Sequence, residues 1–518
     1  MGEKMSEWTK TILLGVVCAV LILLAKVSAP VVVNPEVFAA EGEEFYPGFV
    51  DPLIVKSLEV TTYQADKGTA KSFKVSFDNG QWVIPSHNNY PADAEDRIKK
   101  TSSALIGVKK DILYSDRTEE HAKFNVLDPL DTTLTNEVGF GKRVALYDNS
   151  GNVLAEYILG KAVPKKEKKR ISTSIKEKNP ETGQMVEKNQ DLELTMRYVR
   201  VPGKKRTYGA WTSADVSSRF SDWINTNLLE VTKNEIESMT LNPYKIEERA
   251  LSINLSTGAI MDDSKVIDWN PFRITKQDEG KWVLDKKADI EQDPVTAMLD
   301  TLENLTIVGV RRKPLSLTRS LEVDKGIRLD QQTLVNLRSM GFFVLPFDKG
   351  EMLFSNEGEV EVARKDGVVY SLRLGEILYG EGDSVTAGGE KPEKNEGEKE
   401  KEGKENRYVF LMARFDESLI PKPIASKKPP VEGPLENDPR LDFDARRALL
   451  EERARDLQKW QDESESELKE KREEWKKKVD EGKAKAKELN DRFASWYYVI
   501  SGSSFKKLHL TRDQLLTK

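Results

Sequence analysis

Three histidines, His87, His121 and His509, are the first candidates for chemistry, and no HExxH or His-x-His spacing links them. A zinc site built on them would need carboxylates brought in by the fold. The single cysteine, Cys18, sits in an apolar N-terminal run and supplies neither a thiolate cluster nor an intrachain disulfide. The sequence holds no GxxxxGK[ST] loop and no GxGxxG after a strand; Gly139-Phe-Gly141-Lys142 lacks the glycine spacing and reads as a turn. No GxSxG elbow presents a serine. Close carboxylates do occur, at Asp262-Asp263 and at Asp285 with Asp289. Among 87 acidic residues such pairs arise without chemistry, and none lies in the apolar setting that would raise one pKa for acid–base work. The expectation is a non-enzyme, with no catalytic residues, no metal site and no cofactor.

The elements around these residues set the rest. A chain of 518 residues suggests about two to four domains. Hydrophobic residues make up 38% against 32% charged, low for a chain globular throughout, so folded domains are expected to alternate with charged segments that cannot bury themselves. The 81 basic and 87 acidic residues nearly cancel to a net charge of -6, which leaves no cationic surplus for phosphates and excludes a nucleic-acid partner.

Residues 11–33, TILLGVVCAVLILLAKVSAPVVV, carry Lys26 as their only charge and read as a membrane anchor, provided Lys26 snorkels to an interface. A cleavable signal is the main rival, with small residues near Ala29 and Ala39; a buried globular helix is the third reading. Lys4 and Lys10 before the run, with Glu36, Glu41, Glu43 and Glu44 after it, place the N-terminus inside and the bulk outside the cytoplasm.

Beyond residue 50 the same unit reads twice. Phe73 to Trp82 and Phe272 to Trp282 each alternate apolar and polar residues, turn at Asn79-Gly80 or Glu279-Gly280, and return with a tryptophan as core anchor. Helical stretches follow, over 92–106 and 294–305. Strand pairs come next: Val144 to Leu159-Gly160-Lys161, and Val360 to Leu374-Gly375-Glu376. Arg197-Tyr-Val199 and Arg407-Tyr-Val409 close each copy, after charged spacers at 165–178 and 381–406. The first spacer reads as a solvated loop rather than a phosphate patch, the second as disordered. Ser221 to Leu229 reads as a short capped helix without a counterpart in the second copy.

From Arg440 to Ser495 the pattern is helical, with Leu450, Leu457, Gln461, Leu468, Trp475, Val479, Ala486 and Phe493 seven or four apart. Gly482 is the one glycine at which this stretch could turn back, so a helical hairpin is expected, against a paired coil or a solvated spacer. Trp496 to Ile500 and Phe505 to Leu510 read as a strand hairpin packed on an earlier sheet.

The anchor, the Gly-x-Trp hairpins, the Leu-Gly strand pairs, the Tyr-Val strands, Asp222-Trp223 and the closing Arg492-Phe-Ala-Ser-Trp-Tyr-Tyr-Val-Ile500 together resemble the bacterial family DUF4340 over most of residues 50–430. The resemblance implies a membrane-anchored partner of ABC-type or gliding-motility-like transport systems. It supplies no catalytic residues. The 440–495 helix lies beyond the shared pattern.

The fold class expected is α+β: an N-terminal transmembrane helix, two duplicated antiparallel sheet-plus-helix units and a long charged C-terminal helical hairpin. Residues 1–10 would be a cytoplasmic N-terminus, 11–33 the transmembrane anchor, 50–245 the first unit, 246–430 the second with a disordered loop at 381–406, 440–495 the charged helical segment and 496–518 a strand-like tail. The expected function is a non-catalytic accessory subunit of a bacterial envelope transport complex, single-pass in the inner membrane and with a protein partner. The alternatives are an extracytoplasmic ligand- or envelope-polymer-binding protein and a structural envelope spacer. Trp211, Phe220, Trp223, Trp460 and Trp475 are the candidate partner or ligand surface.

Overall fold

In Phe73-Lys-Val-Ser76 the apolar residues are buried and Lys74 is exposed, the period-two pattern that makes half-buried strands. The computed structural model describes residues 8, 15–21, 40–134, 138–178, 185–214, 216–253, 260–277, 280–285, 288–317, 329–347, 350–380, 383–386, 404–424 and 442–516. The chain divides into two units, Met1–Phe77 with Glu95–Ser218, and Asp78–Ala94 with Arg219–Lys518.

The expected membrane anchor is overturned. Among the described residues no helix is long and apolar enough to cross a membrane. Within 11–33 the structure describes residues 15–21, which are helical. The remainder of that run lies outside the described residues, as does most of the 381–406 loop. The transmembrane helix and signal anchor therefore leave the description of the fold. The single-pass inner-membrane placement, the membrane partner and the membrane-anchored accessory role, which all rested on them, leave with them.

Among the described residues ten strands precede residue 213: β1 Ser57–Gln64, β2 Thr69–Asp78, β3 Gln81–Ile84, β4 Tyr90–Pro91, β5 Ile112–Ser115, β6 Lys142–Tyr147, β7 Val153–Ala162, β8 Lys169–Lys178, β9 Met185–Arg200 and β10 Thr207–Thr212. In the first unit they run β2-β1-β6-β7-β9-β10-β5, all antiparallel, with β8 paired to the outer part of β9. Val144, Ala145 and Leu146 of β6 are all buried, so this central strand is covered on both faces. Helix α1, Glu95–Leu105, buries Ile98, Thr101, Ser102 and Leu105 at helical spacing, and Tyr157 donates from its hydroxyl to the Leu105 carbonyl at 2.9 Å. The 165–178 tract is largely strand rather than solvated loop. Ile171, Thr173 and Ile175 alternate β-branched residues with polar ones, and that propensity outweighs the surrounding lysines.

Fifteen strands follow among the described residues: β11 Ile236–Asn242, β12 Lys245–Glu247, β13 Leu251–Ile253, β14 Ile260–Asp262, β15 Lys265–Ile267, β16 Phe272–Lys276, β17 Trp282–Leu284, β18 Ala288–Asp289, β19 Gly309–Arg312, β20 Phe342–Phe347, β21 Gly350–Ser355, β22 Glu359–Arg364, β23 Val368–Tyr379, β24 Glu405–Phe415 and β25 Trp496–Ser501. Nine of them form the second unit's sheet, β18-β17-β16-β11-β22-β23-β24-β25-β19, and three separate pairs, β12-β15, β13-β14 and β20-β21, flank it. From β16 to β19 this order matches the first sheet strand for strand, with β25 where the first has β10. Helix α2, Gln292–Glu303, buries Val295, Met298, Leu299 and Leu302. Helix α3, Gln331–Ser339, sets Leu334 and Leu337 against Phe342, Phe410 and Tyr497.

The two sheets differ most in one connection. Residues 201–206 join β9 to β10, whereas 416–495 join β24 to β25 and contain helix α4, Phe443–Phe493. Asp442 caps α4 by accepting from Ala445 N at 2.8 Å, and Arg447–Glu451, Glu467–Lys471 and Lys487–Asp491 pair along its surface. The expected helical hairpin is not formed. The helix passes unbroken through Gly482, whose missing side chain lets it lie against the Asp366 carbonyl and the Phe415 ring. Val479, Ala486, Leu489 and Phe493 are buried on the same side. Lys313, itself buried, donates from Nζ to the Phe493 carbonyl at 3.0 Å and lies 3.7 Å from the Phe410 ring centre. Burial pushes its pKa well below the usual lysine range, and the Arg373 charge adds to that. The tail gives one strand, β25, followed by helix α5, Gly502–Leu508, in place of the second strand expected. Ser501 caps α5 by accepting from Ser504 N.

Candidate functional site

Two left-handed asparagines begin the site. Asn88 and Asn89, at φ 56° and 60°, turn the chain tightly between β3 and β4, a conformation asparagine tolerates, and deliver Tyr90 to the second unit's core. The Tyr90 ring meets Trp496 of β25 edge to face at 4.9 Å, and Trp496 pairs in register with Arg312 of β19. Burial raises the Tyr90 phenol above its ordinary range. The last turn of α4 adds Asp491 and Arg492, and the loop after the short 3-10 helix Phe220–Trp223 adds Asn225 and Glu230.

All of these but Asn88, with Asp78, Asn79, Gln81, Val83, Pro91, Ala92, Asp93 and Ser495, line a cleft of about 700 Å³ that belongs wholly to the second unit. That volume is within the roughly 300–1,000 Å³ common for ligand sites. The Arg492 guanidinium is fixed from two sides: it pairs with Glu230 at 2.7 Å and donates to the Asn227 carbonyl at 2.7 Å. Asn225 donates to the same Glu230 carboxylate at 2.8 Å. Asp491 pairs with Lys487 at 2.8 Å. The wall is thus polar and carries an acidic excess, Asp78, Asp93, Glu230 and Asp491 against Arg312 and Arg492, with an aromatic edge at Tyr90 and Trp496. Such a set can donate to and accept from neighbouring hydroxyls.

The five candidate surface residues from the sequence fall elsewhere. Trp211, in the first unit, is half-buried against a core of Phe124, Ile158, Met196 and Tyr198. In the second unit, Phe220 is buried with His87 stacked on it at 4.2 Å, and Trp223 is fully buried, its carbonyl accepting from Asp93 N at 2.9 Å. Trp460 and Trp475 are half-buried on α4, and Trp475 donates from Nε1 to the Ile420 carbonyl at 3.4 Å. None of the five lines the cleft. The histidines hold structural places: His87 also bonds Ser86 and Thr386, His121 donates from Nε2 to the Lys205 carbonyl at 2.7 Å, and His509 stacks on Phe505. Burial lowers the pKa of both His121 and His509. Among the described residues no group of three or more His, Cys, Asp or Glu is placed to hold a metal ion.

Residue-by-residue reading of the sequence missed Tyr90, Glu230, Arg312, Arg492 and Trp496 as site residues. The one local signal was Asn88-Asn89, which marks a left-handed turn ahead of an aromatic.

Two antiparallel sheets flanked by helices among the described residues make this an α+β protein, with a polar cleft in the second unit. A DUF4340 domain is present over part of the chain: residues 82–170 and 188–325 match the family described as Domain of unknown function (DUF4340). No curated protein and no solved structure matches the chain. The matched stretches include Tyr90, Asp93, Glu230 and Arg312; Asp491, Arg492 and Trp496 lie beyond them.

Proposed function

We propose that this chain is a ligand-binding protein whose second unit takes a polar, hydroxylated ligand, a sugar or a short stretch of saccharide polymer, without turning it over. The observation that carries the reading is the cleft of about 700 Å³ in which planar amides, carboxylates and two guanidiniums surround the Tyr90–Trp496 edge. Planar side chains hold adjacent hydroxyls in pairs, and an aromatic edge gives the ligand's C–H groups an apolar contact. Asp78, Asp93 and Asp491 disfavour a polyanion there. The association with ABC-type or gliding-motility systems implied by the family resemblance stays a proposal about the setting in which such a ligand is bound; it adds no residue to the site.

Titration calorimetry of the full chain against a panel of neutral, acidic and amino sugars and their oligomers tests this. Binding of a neutral or amino sugar is expected, with Asp93→Asn and Arg312→Ala each weakening it about tenfold, the effect of removing a hydrogen bond to a charged group. Binding to no member of the panel, or binding that both substitutions leave unchanged, would refute the proposal.

A further inference from the structure

The seam along α4 is covered at one end and bare at the other. Val479, Gly482, Ala486, Leu489 and Phe493 are buried. Further toward the N-terminus, Phe443, Leu450 and Leu457 are 80%, 51% and 43% exposed. At about 100° per residue both sets fall on one face of the helix. A helix of 51 residues is about 77 Å long, while the longest strand of its sheet, β23, has 12 residues and spans roughly 40 Å. The helix therefore outruns the sheet that covers it, and the bare stretch repeats every seven residues.

We propose that the 443–461 stretch of α4 pairs with the same stretch of a second copy of this chain, as a parallel two-stranded coiled coil. With Phe443, Leu450 and Leu457 at d positions, the exposed Ala454 falls at a, and leucine at d is the choice of parallel pairs. The flanks carry opposite charges: Asp444 and Glu451 lie at e, Arg446 and Arg453 at g. In a parallel pair, Arg446 of one copy lies beside Glu451 of the second copy, twice by symmetry. An antiparallel pair would set Arg453 against Arg453 and Glu451 against Glu451. Charge thus selects one orientation of this chain with itself.

The arginines are half-buried with contacts of their own, and Glu451 already pairs with Arg447 at 3.2 Å. The charges therefore fix orientation, while the apolar layers supply the affinity. Arg447 and Gln461 at a weaken the pair and fix its register. Anchoring of the C-terminal half on the sheet supplies the helix nucleus that so short a stretch would otherwise lack. The association is weak and concentration-dependent.

Sedimentation velocity of the full chain over a concentration series is the test. A reversible dimer is expected, and the pair Leu450→Glu with Leu457→Glu should raise its dissociation constant about a hundredfold or more with helix content unchanged. In a Cys18→Ser background, Leu450→Cys should form an interchain disulfide under mild oxidation, because a parallel d layer brings the two Cβ atoms into reach, while Arg455→Cys should not. A monomer at every concentration overturns the proposal, as does a dimer indifferent to the Leu450/Leu457 pair. Crosslinking only between Leu450→Cys and Ala454→Cys chains would reveal an antiparallel pair and overturn it too. So would protection of the stripe within a monomer, which would assign it to another segment of this chain.

Discussion

Gly482→Ala pits a local preference against a tertiary one. In an exposed helix interior the change stabilises by about 1 kcal/mol, because alanine restricts the unfolded backbone and shields the helix. In α4 the new Cβ would fall against the Asp366 carbonyl oxygen and 2.5 Å from Cε2 of Phe415. A flexible side chain could yield cheaply, but this obstacle is backbone. Asp366 lies in the turn between β22 and β23, where its carboxylate pairs with Arg364 at 2.7 Å and accepts from Val368 N at 3.2 Å. Overpacking against so fixed a neighbour costs about 3 kcal/mol, the upper end of the usual range. The net expectation is destabilisation of the α4–sheet contact by about 2 kcal/mol. Hydrogen exchange of the α4 amides between Val479 and Phe493 reads this directly, since local opening there should become about thirtyfold more frequent. If Gly482→Ala slows that exchange, the propensity term governs and the close packing of α4 at Asp366 is wrong.

Trp282→Ala should cost about 3–5 kcal/mol, because that ring is 6% exposed, while Trp82→Ala should cost roughly half as much from its half-buried place; urea unfolding of both variants compares them, and equal losses would contradict the difference in burial. His121 is held neutral by burial, its folded pKa depressed below 6.5, so the unfolded chain binds the extra proton. The first unit's stability should therefore be full above about pH 6.5 and fall as pH drops toward the folded pKa, and His121→Gln, which keeps a donor toward the Lys205 carbonyl, should remove that part of the slope in urea titrations at several pH values. Glu230→Gln should loosen Arg492 and weaken sugar binding about tenfold while leaving the unfolding midpoint within experimental scatter, because the pair is partly exposed.

Local patterns reveal the parts of the fold that local physics dictates. The paired strands 144–159 and 360–374 alternate cleanly enough to place β6, β7, β22 and β23, and the Leu-Gly that ends each pair has a steric reason. A Cβ on Gly160 would meet the Phe124 carbonyl at 2.5 Å, and one on Gly375 the Phe342 ring at 2.8 Å. The same reasoning misread residues 11–33, where hydropathy over a short stretch resembles a span whether or not a membrane helix forms. It also misread Gly482, since a glycine that permits close packing and one that permits a turn look alike without the neighbour. The cleft escaped because, apart from the Asn88-Asn89 turn, nothing local encodes it: Tyr90, Glu230, Arg312 and Trp496 come from four distant stretches.

That assembly follows from where α4 enters the sheet. The second sheet keeps the first sheet's order from β16 to β19, so its eighth place must be filled by a strand arriving beside β24. In the first sheet six residues bring that strand directly, and Val201 to Arg206 contribute a turn. In the second, the strand arrives from the end of a 51-residue helix, and the helix's last turn stands beside the place where β25 begins. Asp491 and Arg492 are there for that reason alone, and Glu230 and the Asn227 carbonyl hold Arg492 in position. One side of the cleft therefore comes from the matched domain and the other from the insertion that follows it. Shortening the 416–495 connection to the length of 201–206 should leave β25 able to pair with β24 and β19 while removing Asp491 and Arg492 from the cleft. A chain so shortened should fold its second sheet and lose the sugar; if it binds as tightly as the full chain, the α4 side of the cleft is not where the ligand is held.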